Sequence, residues 1–211
     1  LVAIDRLELV VVRHGLTAWN LERRYQGHRD IPLLWSEART GLDRLRAVLA
    51  GEHFDAVYAS DLQRCRQTLA HILPDLSVIP RFDARLRELD FGEYEGRCWD
   101  ELKDLPAYRR WIDSRGEEAP PGGESTAQLR RRLEQWWAEA TASAAENGQR
   151  KLLVVTHGGV LRELRHRFEH TEYWQGSVMQ AEGRRLMFEQ RQGEWQCMSS
   201  SAVPVQASAP Q

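Results

Sequence analysis

The sequence predicts an α/β fold of three layers, α/β/α, around a mostly parallel central sheet, with a helical lid insertion and a C-terminal edge hairpin. Three observations predict it. Two apolar runs, Leu9-Val10-Val11-Val12 and Leu152-Leu153-Val154-Val155, carry no polar position, which marks strands buried on both faces. Each run leads into a His-Gly step, His14-Gly15 and His157-Gly158, where ligands of open α/β sheets bind, beyond the carboxyl ends of the strands. Between the two, the apolar period switches repeatedly from extended to helical, as in βαβ units with right-handed crossovers.

The elements follow in order. After a strand near residues 7–12, a polar loop carries Thr17, Asn20, Gln26, Gly27 and Asp30, and Leu42, Leu45, Val48 and Leu49 then mark a helical face. Asp55-Ala56-Val57-Tyr58-Ala59 reads as the next strand. Ser60 with Gln63 forms a capping box for a helix burying Leu62, Cys65, Leu69 and Ile72, with Arg64 in its first turn. Val78-Ile79 is expected as a short outer strand, and the acidic, Gly-containing stretch Glu88–Gly96 as a loop. The lid spans about residues 97–123 and ends in Ala119-Pro120-Pro121-Gly122-Gly123. Ser125 with Gln128 caps a long amphipathic helix through Leu129, Leu133, Trp136, Trp137 and Ala140. A helix with Val160, Leu161, Leu164 and Phe168 follows the second His-Gly step, and then a hairpin turning at Gln192-Gly193. One domain over residues 1–198 is expected. The Ser-, Ala-, Pro- and Gln-rich tail, 199–211, is expected to be disordered because it has little apolar surface to bury.

Composition excludes several classes of function. Among 211 residues, 29 basic and 31 acidic side chains leave a formal charge of −2, so no global field favours nucleic acid or an anionic membrane surface. Three dispersed cysteines, Cys65, Cys98 and Cys197, form no CxxC pair, which fits reduced structural thiols rather than a disulfide framework or a zinc site. The first dozen residues carry Asp5, Arg6 and Glu8, against a leader or a spanning helix, so the expected location is cytoplasmic. Edge strands at the C-terminal side leave a homodimer open.

Arg13 and His14 close the first strand, Arg64 opens a helix after the next, and His157 closes a later strand. All four project over one rim of the sheet, and that rim is cationic. Converging guanidinium forks and imidazoles suit a tetrahedral dianion, because arginine donates paired charge-assisted bonds to phosphate oxygens. The dipole of the helix holding Arg64 adds positive potential. Phosphoryl transfer needs chiefly such electrostatic positioning, so no cofactor or metal is expected; two arginines beside the histidines would repel a cation. A neutral imidazole held by a backbone acceptor on its other nitrogen can serve as nucleophile, which singles out His14. Gly15, lacking Cβ, would let a phosphate approach the backbone. Glu88, with apolar neighbours Leu86, Leu89 and Phe91, is the candidate proton donor.

The plainer readings are a structural role for a lone histidine such as His157, solvated surface charge for Arg13 or Arg64, and an ordinary acidic loop for Glu88 beside Asp90, Glu93 and Glu95. Convergence on one rim argues against them. His28, His53, His71, His166 and His170 fit no motif and read as structural or exposed. Trp99, Tyr108 and Trp111 read equally well as the lid's own core or as a substrate surface.

The segments Arg13-His14-Gly15-Leu16-Thr17 with Trp19-Asn20, Ser60-Asp61-Leu62-Gln63-Arg64 with Gln67-Thr68, Leu86-Arg87-Glu88 and Thr156-His157-Gly158 together resemble the histidine phosphatase superfamily, also called phosphoglycerate mutase-like. The likeness runs from about Leu9 to Phe168. It implies that His14 is phosphorylated, that Arg13, Arg64 and His157 hold the phosphate, and that Glu88 donates the proton. It also implies support of the phosphate pocket by Asn20, an entrance framed by Gln26 and Gly27, and a substrate-side position for Gly122–Ser125; Gly158 completes the second histidine motif. The chain departs from the family pattern at Leu34–Ala38, where a Thr or Ser and a Gly usually start the helix, and at Cys65 and Leu69, where small residues are common. Leu89–Gly96 and Gly122–Ser125 resemble the phosphatase branch, including α-ribazole phosphatases. The expected activity is metal-independent hydrolysis of a small phosphorylated metabolite. A mutase and a non-catalytic phosphate-binding scaffold are the alternatives.

Overall fold

A computed structural model describes residues 4–205, the Trp174 side chain excepted. Among the described residues, six strands form one sheet in the order β3-β2-β4-β1-β5-β6. They are β1 (Arg6–Arg13), β2 (Ala56–Ala59), β3 (Arg81–Phe82), β4 (Lys151–Thr156), β5 (Gly183–Arg191) and β6 (Glu194–Val203). The first four run parallel, and β5 and β6 add antiparallel pairings at one edge. The α-helices among the described residues are α1 (Ala18–Leu21), α2 (Trp35–Leu49), α3 (Gln63–Ile72), α4 (Trp99–Leu102), α5 (Pro106–Asp113), α6 (Thr126–Asn147) and α7 (Gly158–Glu169).

Strand alternation divides the core into two layers. Leu7, Leu9 and Val11 of β1 pack with Leu152 and Val154 of β4 against Trp136, Trp137, Leu161 and Leu164 of α6 and α7. Val10, Val12, Leu153 and Val155 point the other way, onto Leu42, Leu45 and Leu49 of α2 and Cys65, Leu69 and Ile72 of α3. Every residue of the two apolar runs is fully buried, which is why neither run alternates in polarity. β4 inserts between β1 and β2, with Arg13 opposite Thr156. That register sets the residues following both strands side by side.

Several local expectations are corrected. The outer strand is Arg81–Phe82, not Val78-Ile79; Ile79 is 91% exposed, so it had no buried face to satisfy. Val48 lies on the exposed side of α2. α2 begins at Leu34 without a side-chain cap, its first turn closed by Glu37 and Ala38 N–H donating to Leu34 O. The 199–211 tail is not disordered where the structure describes it: residues 199–203 belong to β6, with Ser199 opposite Met187 and Val203 opposite Gly183. Backbone ladder bonds order this segment although its side chains bury little, a contribution that composition does not report. Residues 206–211 of that expectation lie outside the described residues. The hairpin turn is at Gln192 (φ 52°) and Gly193 (φ 83°), two left-handed residues as a type I′ turn requires. Among the described residues, no helix is long and apolar enough to cross a membrane.

Candidate active site

His14 and His157 follow β1 and β4 directly, and their rings meet edge-on with centroids 5.2 Å apart. His14 is 2% exposed and its Nδ1 lies 2.7 Å from Gly15 O. A carbonyl oxygen only accepts, so Nδ1 carries the proton and Nε2 keeps its lone pair. Burial first, then Arg64 and Arg13, hold the His14 pKa well below the ordinary imidazole value, against the opposing bond to Gly15. The result is a neutral imidazole of fixed tautomer.

His157 is fully buried, with Nε2 2.8 Å from Ser60 Oγ and 3.5 Å from Cys65 Sγ, while its Nδ1 is buried with no partner. Its pKa is also held well below the ordinary value, by burial first and then by Arg64, His14 and Arg13. Where the Ser60 hydroxyl donates to Nε2, the ring proton sits on the buried Nδ1. Ser60 is thus committed to a histidine rather than to the expected capping box. The first N–H of α3, that of Gln63, is taken by Asp30 Oδ1 at 2.8 Å, so an aspartate from the loop between α1 and α2 occupies the helix's positive end.

The guanidinium of Arg64 is buried and donates to three carbonyls, Arg29 O (2.8 Å), Gly27 O (2.8 Å) and Gln26 O (3.1 Å), while its Nε has no partner. Gln26 and Gly27 therefore act through their backbone, fixing the arginine. Asn20 acts at one remove: its Oδ1 accepts from Thr17 N–H, and Thr17 Oγ lies 3.1 Å from that oxygen and 2.8 Å from Gln26 Oε1. Arg13 donates to Val178 O at 2.7 Å and also leaves a buried Nε unpaired. Burial pulls its pKa down, Glu88 opposes this, and repulsion from Arg162 and Arg64 adds to it. His157 Nδ1, Arg13 Nε and Arg64 Nε are thus three buried nitrogens without a hydrogen-bond partner. Leaving such groups unpaired costs about 1–3 kcal/mol each, a deficit that an anion would remove.

Glu88 is 9% exposed, its carboxylate accepting from Leu89 N–H (Oε1, 3.0 Å) and Gly159 N–H (Oε2, 2.9 Å). Its backbone carbonyl accepts from Arg132 Nη2 at 2.8 Å and from His28 Nε2 at 2.9 Å. Arg132 also donates to Arg85 O and Arg87 O, and its fork is held by Glu124 at 2.7 and 2.9 Å. Arg87 forms a two-bond pair with Asp61, tying this loop to the one before Arg64. His28, Arg132, Glu124 and Asp61 were not among the site residues expected from sequence. His28, Arg132 and Asp61 act on residues at least 26 positions away in the chain, and although Asp61 and Glu124 fall inside segments that carry the family resemblance, only the fold gives them Arg87 and Arg132 as partners.

Glycines explain much of the fit. A Cβ at Gly158 would lie 2.8 Å from Arg13 Cζ, and one at Gly159 2.2 Å from Glu88 Oε1. Gly15 differs from its expected role: its Cβ would meet Leu42 and Ala38 of α2 at 3.0–3.3 Å, so packing beneath the site demands this glycine. Gly159→Ala is expected to displace the Glu88 carboxylate and lower kcat about 10- to 100-fold with the fold retained, a fraction of what a positioned proton donor contributes. Steady-state turnover alongside thermal denaturation checks this.

Because both imidazoles stay neutral when folded, the unfolded chain takes up protons that the native state refuses once pH falls below about 6.5. Stability is therefore expected to drop by roughly 2–3 kcal/mol between pH 7.5 and 5.5. Urea unfolding at the two pH values, with His14→Asn losing about half of the difference, tests it.

A cleft of about 270 Å³ opens beside these groups, reaching Arg13, Glu88, Gly158 and Gly159 at one end and Trp111 of the lid at the other. Tyr108 is buried in an aromatic cluster with Tyr25, Tyr94 and Trp111, its hydroxyl 2.7 Å from that of Tyr25, whereas Trp99 is 56% exposed. The lid aromatics are therefore divided: Tyr108 serves the lid's core, and Trp111 serves both core and cleft.

Fold and site define a doubly wound α/β protein with two histidines and two arginines gathered at the carboxyl edge of its sheet. The profile of the histidine phosphatase superfamily (branch 1) matches residues 9–201, and the chain belongs to that superfamily, whose members are phosphatases or mutases. Phosphoglycerate mutase-like protein 4 of Arabidopsis thaliana is 36% identical over 175 residues, covering 78% of this chain and 72% of its own. A 2,3-bisphosphoglycerate-dependent phosphoglycerate mutase of Methylocella silvestris is 34% identical over 176 residues, 76% of this chain and 80% of its own. The crystal structure of a putative α-ribazole-5′-P phosphatase from Escherichia coli aligns with a TM-score of 0.80 at 26% identity, over 90% of this chain and 94% of that one.

Proposed function

We propose that this protein is a metal-independent phosphomonoesterase acting on a small phosphorylated metabolite. The observation that carries the reading is the fixed tautomer of His14, with its Nδ1–H committed to Gly15 O, beside three buried nitrogens without a hydrogen-bond partner. The Nε2 lone pair attacks phosphorus and the ester P–O bond breaks. The departing alkoxide takes the proton of the Glu88 carboxyl. Water then attacks the phosphohistidine, gives its proton back to Glu88, and the P–N bond breaks to release phosphate. Arg13, Arg64 and the His157 Nδ1–H neutralise the charge that spreads over the equatorial oxygens, a task requiring no cation in this setting.

The mutase reading draws on the names of the Arabidopsis and Methylocella relatives. In it, the phosphohistidine returns its phosphoryl group to an organic hydroxyl instead of water. The apolar wall of the cleft, with Leu89, Phe91, Trp111 and Leu129, favours an organic group with a sizeable apolar part and so supports the phosphatase reading. Purified protein incubated with a phosphomonoester panel that includes phosphoglycerates is expected to release inorganic phosphate. Interconversion of 2- and 3-phosphoglycerate faster than phosphate release would decide for the mutase.

A further inference from the structure

A proton donor must stand within about 3 Å of the leaving oxygen, yet Glu88 is carried by a loop between two short 3₁₀ turns, Ala84–Leu86 and Gly92–Tyr94. One of its two carboxylate bonds, to Leu89 N–H, lies within that loop and cannot place it against His14. The loop is held from outside through its carbonyls. Thr156 Oγ1 donates to Leu86 O at 2.7 Å, and Arg132 takes the carbonyls around it: Nη1 donates to Arg85 O and Arg87 O at 2.6 and 2.7 Å, and Nη2 to Glu88 O at 2.8 Å. The other two N–H groups, on Nε and Nη2, go to Glu124 Oε1 and Oε2. All five donors of this guanidinium are therefore committed, whereas Arg13 and Arg64 each keep a buried Nε unpaired. Arg132 has no N–H left for a phosphate. It stands on α6, a helix of 22 residues, and Glu124 directly follows the lid, where Glu124 N–H donates to Asp90 O at 2.8 Å and Glu93 N–H to Pro121 O at 2.9 Å. The lid's end and the Glu88 loop are thus joined by main-chain bonds next to the arginine.

We propose that Arg132, its fork set by Glu124, is a positioning residue for proton transfer: it fixes the main chain that carries Glu88, so that the carboxyl meets the leaving oxygen. Displacing a reacting group by about 1 Å can cost on the order of 100-fold in rate, so a clamp of this kind acts on the chemical step without touching the substrate. Lysine keeps the charge but is a point donor with three N–H groups, and cannot serve five acceptors in one plane. The inference rests on the proposed role of Glu88 as proton donor.

Two esters separate positioning from general support of the fold: 2-phenylethyl phosphate, which leaves as an alkoxide, and p-nitrophenyl phosphate, whose phenolate needs little protonation. The readout is kcat/KM, which reports the step that breaks the ester bond. Arg132→Lys is expected to lower it about 10- to 100-fold on the alkyl ester and less than about threefold on the aryl ester. In a Glu88→Gln background the same substitution should cost nothing further on the alkyl ester, because the acid it positions is gone. Glu124→Gln leaves Arg132 and its three carbonyls in place, so it is expected to show the same selectivity in weaker form, and it decides the question if Arg132→Lys does not fold. Equal losses on the two esters, unchanged turnover of the alkyl ester, or full additivity with Glu88→Gln overturns the proposal and leaves the proton-donor role of Glu88 standing. If Glu88→Gln alone slows both esters alike, or wild type hydrolyses neither, the proton-donor reading fails and the positioning role with it.

Discussion

His14→Ala is expected to lower kcat on phosphomonoesters by roughly 10⁴-fold or more, the scale seen when a covalent nucleophile is removed while binding groups remain. The other members of the site stay in place in this variant. Arg64 is held by three loop carbonyls, His157 by Ser60, and Glu88 by Leu89 and Gly159 N–H, none of which depends on the His14 side chain. Phosphate binding should therefore persist, strengthening the distinction between chemistry and affinity. The stability cost is limited to a small cavity and to the loss of a donor for Gly15 O, about 1–3 kcal/mol. Phosphate release from p-nitrophenyl phosphate, measured together with calorimetric binding of inorganic phosphate, checks both halves. A variant turning over within tenfold of wild type would sink the phosphohistidine pathway.

Glu88→Gln should produce the second largest effect, and one that depends on the leaving group. The amide is nearly isosteric and keeps an oxygen for one of the two backbone N–H donors, but it has no proton to give an alkoxide. For alkyl phosphates, kcat is expected to fall 10²- to 10⁴-fold, the usual contribution of a positioned acid. For p-nitrophenyl phosphate, whose phenolate departs with little protonation, the fall should be much smaller. Equal losses on the two ester types would mean that Glu88 holds the loop instead of moving a proton. The Gly159→Ala variant should mimic the same selectivity in weaker form, because its Cβ would intrude on Glu88 Oε1.

The parts of the site that were legible in sequence share one property: they sit at the ends of strongly patterned elements. His14 and Arg13 end an apolar run, His157 ends another, and Arg64 falls in the first turn of a helix with a clear buried face. Strand ends in a parallel sheet have a fixed meaning, so position along the pattern was enough to assign them to one rim. The long helix capped by Ser125 and Gln128 was legible for a similar reason, since its capping box closes locally: Ser125 Oγ accepts from Gln128 N–H and Gln128 Oε1 from Ser125 N–H.

Ser60 shows where that reasoning fails. The same Ser-x-x-Gln pattern stands before α3, but the serine hydroxyl is drawn to His157 and Asp30 takes over the cap. A local rule lost to a tertiary partner because a buried imidazole nitrogen is costlier to leave unpaired than a helix end, which water or another side chain can serve. The tail failed for a different cause. Residues 199–203 are poor in apolar surface, yet β5 offered an unpaired edge, and main-chain bonds need no particular side chains.

By itself the sequence determined the α/β class, the two buried strands and the cationic character of the rim, because these follow from apolar periodicity and from residue types at element ends. Only the tertiary structure decided which strands are neighbours, and hence that His14 and His157 touch: β4 sits between β1 and β2 by pairing, not by chain order. It also decided the tautomer of His14, the Arg132 clamp on the Glu88 loop and the lack of a carboxylate partner for Arg162 among the described residues. These are contacts between groups far apart in the chain, set by hydrogen-bond geometry and packing that no window of sequence contains.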